Sequence, residues 1–133
     1  MSDAVLARLR RLAALGAALY AAAAAADAGL TWAGLRGAAG GEGNPFLRAT
    51  MTRLGVAPAL LVEKGAVGLA FWWLAVRVGA AIHRDEPWVR RVPMTPPVRR
   101  WMRSGDRWWT ALLPLYGVAL AQALAAGLWL SLR

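Results

Sequence analysis

Residues 56–82 read VAPALLVEKGAVGLAFWWLAVRVGAAI, and this stretch decides the fold of the chain. An apolar block of this length crosses a bilayer as a helix with some tilt. On either side of it, two further apolar blocks occupy residues 12–35 and 108–132, and 59% of the 133 residues are hydrophobic. A soluble helix would instead alternate apolar and polar faces. The sequence therefore predicts an all-α integral membrane protein, a single domain with three transmembrane helices.

The basic residues flank the apolar blocks. The formal net charge is +9, and the connection between the second and third blocks holds seven arginines, whereas the connection between the first two holds three. Because basic loops stay in the cytoplasm, this asymmetry predicts a cytoplasmic N-terminus and a periplasmic C-terminus. The flanking placement argues against a nucleic-acid partner. Lys64 is the only lysine, and alanine and glycine abound, which favours a GC-rich bacterial source and the inner membrane.

The first block also has the features of a secretory signal peptide. Arginines precede an apolar run that reaches small residues at positions 24–26, the pattern of a cleavage site. Cleavage there would leave Asp27 as the mature N-terminus and only two spans. We expect the segment to be retained and to form the first span.

Two different connections join the predicted spans. The first contains GAAGGEGNP, residues 37–45, in which Asn44 suits a helix cap and Pro45 a first helical turn. Its pattern predicts a short helix over 45–54 at the membrane surface. The second, residues 83–107, is rich in arginine and proline, which disfavours helix and predicts an extended cytoplasmic arm. We expect lipid headgroups or a partner to contact these arm residues: Trp88, Arg90, Arg91, Arg99, Arg100 and Trp101.

Asp27, Glu63 and Lys64 lie inside the first two blocks, and charged groups in hydrocarbon are costly unless paired. In antiparallel helices, Asp27, eight residues before Leu35, and Lys64, eight residues after Val56, fall at similar depth. We therefore predict a structural ion pair between Asp27 and Lys64. Glu63 points about 100° away from Lys64 around the helix. We expect it to be protonated, to pair with Thr31, or to meet an arginine of another subunit, which makes Glu63 and Thr31 a candidate proton or ligand site.

The sequence offers no basis for catalysis or for a metal site. It has no cysteine and a single histidine, His83, and its glycine-rich stretch lacks the Gly-Lys-Ser/Thr of a phosphate loop. We expect no enzyme activity, no bound cofactor and no soluble substrate. Trp72 and Trp73 lie deeper than an interfacial belt, and we expect them to contact a partner helix, a lipid chain or a pigment.

A combination of short motifs resembles a family of small prokaryotic multi-pass membrane proteins that is known only as a domain of unknown function. The motifs are Asp27-Ala-Gly-Leu-Thr31 in the first span, Glu42-Gly-Asn44-Pro45 after it, and Lys64 in the second span. The likeness covers about residues 19–74, and it marks six positions as family-type: Asp27, Thr31, Glu42, Asn44, Pro45 and Lys64. The family has no assigned activity, so the resemblance supports the fold and leaves the function open.

Two functions are consistent with these features. The first, which we favour, is an accessory or scaffold subunit of a larger membrane complex, of respiratory or photosynthetic type, because an alanine-rich first span has too little side-chain bulk for a self-sufficient core. Membrane lipids and other membrane subunits are then the expected partners. The alternative is a small proton- or cation-coupled transporter that uses an intramembrane carboxylate.

Overall fold

A computed structural model of the chain describes residues 3–36, 39–91 and 105–131, of which 93% are helical and none forms a strand. Five α-helices follow in chain order: α1 Asp3–Leu35, α2 Pro45–Leu54, α3 Val56–His83, α4 Pro87–Arg91 and α5 Leu113–Ser131, with 3₁₀ segments at Ala39–Gly41 and Gly105–Leu112. Three of these stretches are long and apolar enough to cross a membrane: Asp3–Leu35, Val56–His83 and Arg107–Ser131. The prediction of an all-α protein with three membrane spans is confirmed.

Helix α1 is the common packing partner of the other two spans. It packs along both α3 and α5, whereas α3 contacts α5 much less and instead meets the 3₁₀ segment Gly105–Leu112. One face of α1 is buried at intervals of three and four residues, which is the helical repeat. Its members are Leu9, Ala13, Gly16, Tyr20, Ala24, Asp27 and Thr31. Small residues on this face let neighbouring backbones approach closely.

The end of the bundle where α1 begins and α3 ends is called the basic end below, and the opposite end is called the hairpin end. At the basic end Leu9 and Leu115 are fully buried in one cluster with Trp108. Helix α1 begins nine residues before the predicted boundary at residue 12. The prediction followed the loss of hydropathy at the arginines, but Leu6 and Leu9 continue the packed face beyond it.

Helix α2 occupies the range predicted for the surface helix. The Asn44 side chain accepts hydrogen bonds from the backbone N–H groups of Phe46 and Leu47, and Pro45 is the first helical residue. Met51 is buried against the start of α3, whereas Phe46 is 84% exposed. Gly55, whose φ is +88°, makes the corner between α2 and α3, in a conformation that other residues rarely adopt. The position of α2 at a membrane surface stays a prediction.

The connection over residues 83–107 differs from the extended arm that its composition predicts. Its described part contains the short helix α4, because Pro87 stands at the first helical position, where proline is favoured. The third span begins with the 3₁₀ segment and becomes α-helical at Leu113. In an α-helix the Pro114 ring would clash with the carbonyl group four residues earlier. The α-helix therefore does not extend further toward the N-terminus.

Candidate functional site

The predicted partners Asp27 and Lys64 meet between α1 and α3. Lys64 Nζ lies 2.9 Å from Asp27 Oδ2, and the two side chains are only 15% and 8% exposed. Asp27 belongs to the buried face of α1, so the helical repeat that packs α1 also turns this carboxylate toward α3. The contact leaves neither charge alone in an apolar setting.

Glu63 shares the same ammonium group. Its Oε2 lies 3.5 Å from Lys64 Nζ, so the expectation that Glu63 has a different partner is wrong. Adjacent residues leave a helix about 100° apart, but two long, flexible side chains can still converge. Asp27, Lys64 and Glu63 are called the charge triad below. Within the described residues Glu63 Oε2 accepts no hydrogen bond, and the side chain is 40% exposed.

Within the described residues the Thr31 hydroxyl donates no hydrogen bond to Glu63 Oε2. Thr31 is buried on α1 one turn beyond Asp27, on the face that packs inside the bundle. A role of Glu63 or Thr31 in binding a proton or ligand stays a prediction.

Tyr20 belongs to the site, although the sequence reasoning did not single it out. Its hydroxyl donates a hydrogen bond to the backbone carbonyl of Lys64 at 2.9 Å, and the residue is 3% exposed. The ring occupies the space beside Gly68, where an added Cβ would lie 2.6 Å from Tyr20 Cε1. Residue spacing could have pointed to Tyr20. It precedes Asp27 by seven residues, which places both on one face of α1, and Gly68 follows Lys64 by four residues on α3.

A groove of about 570 Å³ runs between α1 and α3 beside the charge triad. Small residues line most of it, and Lys64 is its only charged lining residue: Ala14, Ala17, Tyr20, Ala21, Ala24, Ala25, Ala28, Leu60, Leu61, Lys64, Gly65, Gly68, Leu69 and Trp72. The predicted tryptophan pair is therefore divided. Trp72 lines the groove, whereas Trp73 lies outside its lining and is 57% exposed.

The loop motif Glu42, Asn44 and Pro45 forms a cap at the start of α2. The Glu42 carboxylate accepts a hydrogen bond from the backbone N–H of Asn44 at 2.7 Å, and Asn44 in turn caps the helix. Arg48 donates from Nε and Nη2 to the Glu42 carbonyl oxygen. All three motif residues thus have a local structural role. Glu42 and Asn44 accept hydrogen bonds from N–H groups at the helix start, and Pro45 has no N–H that could be left unpaired.

At the basic end, a second cluster holds α4 against the end of α3. Arg77 pairs with Glu86 through both carboxylate oxygens at 3.0 Å, and Trp88 Nε1 donates to Glu86 Oε2 at 2.7 Å. The Arg77 guanidinium lies 5.7 Å from the centre of the Trp88 ring. These three residues are called the clasp below. The hydrogen bonds from Arg77 and then Trp88 hold the pKa of the Glu86 carboxyl below its usual value.

The clasp changes the interpretation of the arm residues. Trp88 and Arg90 both have partners within the chain. Trp88 donates to Glu86, and Arg90 pairs with Asp85. The hydrogen bond to the Asp85 carboxylate holds the pKa of the Arg90 guanidinium above its usual value. Arg91 is exposed at the end of α4. The predicted contact residues Arg99, Arg100 and Trp101 lie outside the described residues.

The described residues contain no group of three or more histidine, cysteine, aspartate or glutamate side chains arranged to hold a metal ion. In comparisons with protein families, curated proteins and solved structures, nothing matches this chain. The resemblance to a family of unknown function stays a prediction, and arguments about function rest on the geometry alone.

Proposed function

We propose that the chain is a non-catalytic accessory subunit of a larger membrane complex, such as a respiratory or photosynthetic one. We place it in a bacterial inner membrane with its basic end in the cytoplasm. The N-terminus is then cytoplasmic and the C-terminus periplasmic, in keeping with the distribution of arginine.

The observation that carries the proposal is how little of each span the chain buries by itself. Within the most apolar part of the three spans, only 28%, 22% and 22% of the residues are buried. Most of the helix surface therefore faces outward, where lipid or other helices must cover it. Trp73, about halfway along α3, presents its large ring outward at a depth where an interfacial anchor is not needed.

The charge triad also supports a structural role. Asp27 and Lys64 compensate each other across the α1–α3 contact, which fixes the register of the two helices. A single polar contact that specifies register is the best attested use of such a buried pair. In a subunit, this pair holds the outward faces of α1 and α3 in a fixed position relative to each other, so that neighbouring chains always meet the same surface.

The test is purification in mild detergent from the native membrane, followed by native mass spectrometry. The subunit proposal predicts that other membrane proteins copurify in a constant stoichiometric ratio. Trp73→Ala should lower the yield of those partners, and the matched control Leu69→Ala removes an exposed side chain that lines the groove instead. Recovery of the chain only as a monomer or homodimer, across several mild detergents, would overturn the proposal.

One observation favours a second candidate, a small proton- or cation-coupled transporter. Glu63 is partly exposed, and within the described residues its Oε2 accepts no hydrogen bond. Intramembrane carboxylates of this kind mark ion pathways in transporters. Under this alternative, Glu63→Gln abolishes substrate- or proton-linked uptake in proteoliposomes, and Asp27→Asn weakens it. Transport that is unchanged in both variants excludes the alternative.

A further inference from the structure

We propose that the groove between α1 and α3 binds an isoprenoid quinone, with a ring carbonyl that accepts a hydrogen bond from Lys64. The inference goes beyond the subunit role, because both walls of the groove belong to this chain. It therefore holds with or without partner proteins.

The dimensions of the groove favour a chain-like occupant. Its lining extends from Ala14 to Ala28 on α1 and from Leu60 to Trp72 on α3, which is about 20 Å at 1.5 Å per residue. Spread over that length, 570 Å³ corresponds to a cross-section of roughly 30 Å². A helix about 10 Å in diameter occupies roughly 80 Å². The groove is therefore narrower than a whole helix, and its length suits a single hydrocarbon chain.

Lys64 gives the groove a hydrogen-bond donor. An ammonium group has three N–H donors, and within the described residues Lys64 has two acidic partners, Asp27 at 2.9 Å and Glu63 at 3.5 Å. Because Lys64 also lines the groove, at least one of its N–H donors is left for a ligand there. A hydrogen bond from a charged donor is among the stronger ones, so this contact would orient the ligand.

The charge balance favours a neutral acceptor. Two carboxyl groups already lie close to Lys64 Nζ, at 2.9 Å and 3.5 Å, so a further carboxylate or phosphate would compete with them for the same ammonium group. A carbonyl oxygen accepts the hydrogen bond and adds no charge. A neutral, ketone-type oxygen is therefore a better match for the Lys64 donor than a fatty acid or a phosphate headgroup.

The position of Lys64 along the groove sets the orientation of the ligand. Lys64 lies about 12 Å inside α3 from Val56, deeper than phospholipid headgroups reach. Quinone rings are neutral and apolar enough to enter the hydrocarbon region. From Lys64 the groove continues for about 12 Å past Gly65 and Gly68 to Trp72. The ring thus lies beside Lys64, and the isoprenoid chain runs toward the basic end and contacts Trp72.

The test is a titration of the purified chain in detergent with decylubiquinone. Quenching of the tryptophan fluorescence measures the binding. Gly65→Leu fills the groove, and an added Cβ at Gly65 has no atom within 4 Å, so the variant should fold. Gly117→Leu on α5 is the matched control, since Gly117 has the same open surroundings and lies outside the groove lining. We expect at least tenfold weaker binding for Gly65→Leu and unchanged binding for Gly117→Leu.

A second titration separates the contribution of the ring carbonyls from that of the ring and the alkyl chain. Decylbenzene has the same alkyl chain and a ring but no carbonyl and does not itself quench tryptophan, so it is titrated as a competitor against bound decylubiquinone. We expect it to bind at least tenfold more weakly than decylubiquinone. Equal binding of the two compounds would overturn the assignment of a carbonyl to Lys64. Equal quinone binding by the wild type and Gly65→Leu, or no binding by the wild type, would overturn the site. These assays use the chain alone, so a negative result would not contradict the subunit proposal. Conversely, the copurification experiment does not test quinone binding.

Discussion

The charge triad and the clasp use the same chemistry in opposite surroundings. In each, a basic side chain meets carboxylate oxygens, but Asp27 and Lys64 are 8% and 15% exposed, whereas Arg77 is 45% exposed. The triad also joins two spans, while the clasp joins residues 77, 86 and 88, which are close in sequence and lie where α3 ends and α4 begins. Exposed ion pairs contribute little to stability, and loss of one partner from a buried pair is costly. The triad should therefore determine how the helices associate, and the clasp only the direction of α4.

The largest expected effect follows from Lys64→Met. The substitution leaves the buried Asp27 carboxylate without its partner, which should lower the free energy of unfolding by about 3–5 kcal/mol. Titration with SDS in mixed micelles measures this loss. A change within the error of the measurement would show that the triad, like an exposed ion pair, contributes little to stability.

The double variant Asp27→Asn with Lys64→Met is the control for that effect. It removes both charges, so it should be more stable than Lys64→Met alone. A double variant that loses the sum of the two single effects would show that the two side chains act independently. The order of stabilities therefore measures the coupling across the α1–α3 contact.

A smaller loss is expected for Gly68→Ala, which acts on the support of the triad. The new Cβ would lie 2.6 Å from Tyr20 Cε1, so the ring must move away and its hydrogen bond to the Lys64 carbonyl is weakened. Overpacking of this kind costs about 1–3 kcal/mol. Gly65→Ala is the matched control on the same helix, because its Cβ meets no atom within 4 Å. Equal stability of the two variants would contradict the close packing of Tyr20 on Gly68.

Glu86→Gln should affect only the clasp. It removes the carboxylate that Arg77 and Trp88 share, so amide hydrogens in α4 should exchange faster with solvent. We expect no measurable change in SDS unfolding of the three spans. Because exposed pairs are screened by salt, high salt should reproduce the faster exchange in the wild type. Faster exchange throughout α1 and α3 would instead assign the clasp a role in the whole bundle.

The smallest effect is the acid response of the clasp. The pKa of Glu86 is lowered in the fold, so its contribution is complete above the usual value of 4.5 and is lost as the pH falls through the lowered pKa. Hydrogen exchange of α4 across acid pH, corrected for the intrinsic rate, should show a transition below pH 4.5. A transition above that value, or one that persists in Glu86→Gln, would assign the acid response to another group.

Local features account for the parts of the structure that the sequence predicts well. Three apolar blocks gave three spans, and Asn44-Pro45 gave the start of α2, since hydrophobic length and helix capping depend only on neighbouring residues. The pairing of Asp27 with Lys64 also followed from sequence, because depth in a helix is a count of residues. Helix α1 begins at Asp3, before the predicted start of the span at residue 12, because hydropathy reports the membrane and not the end of the helix.

Tertiary structure alone decided the rest of the site. Glu63 converges on Lys64, Tyr20 fits beside Gly68, and Arg77 reaches across to Glu86 because of side-chain rotamers and the angle at which elements meet. The groove likewise forms only where small residues of α1 and α3 face each other. The apolar content of each block fixes a helix in the membrane whatever its neighbours are. Which side chains come together depends on the rotation and crossing of those helices, and that is settled only when they pack.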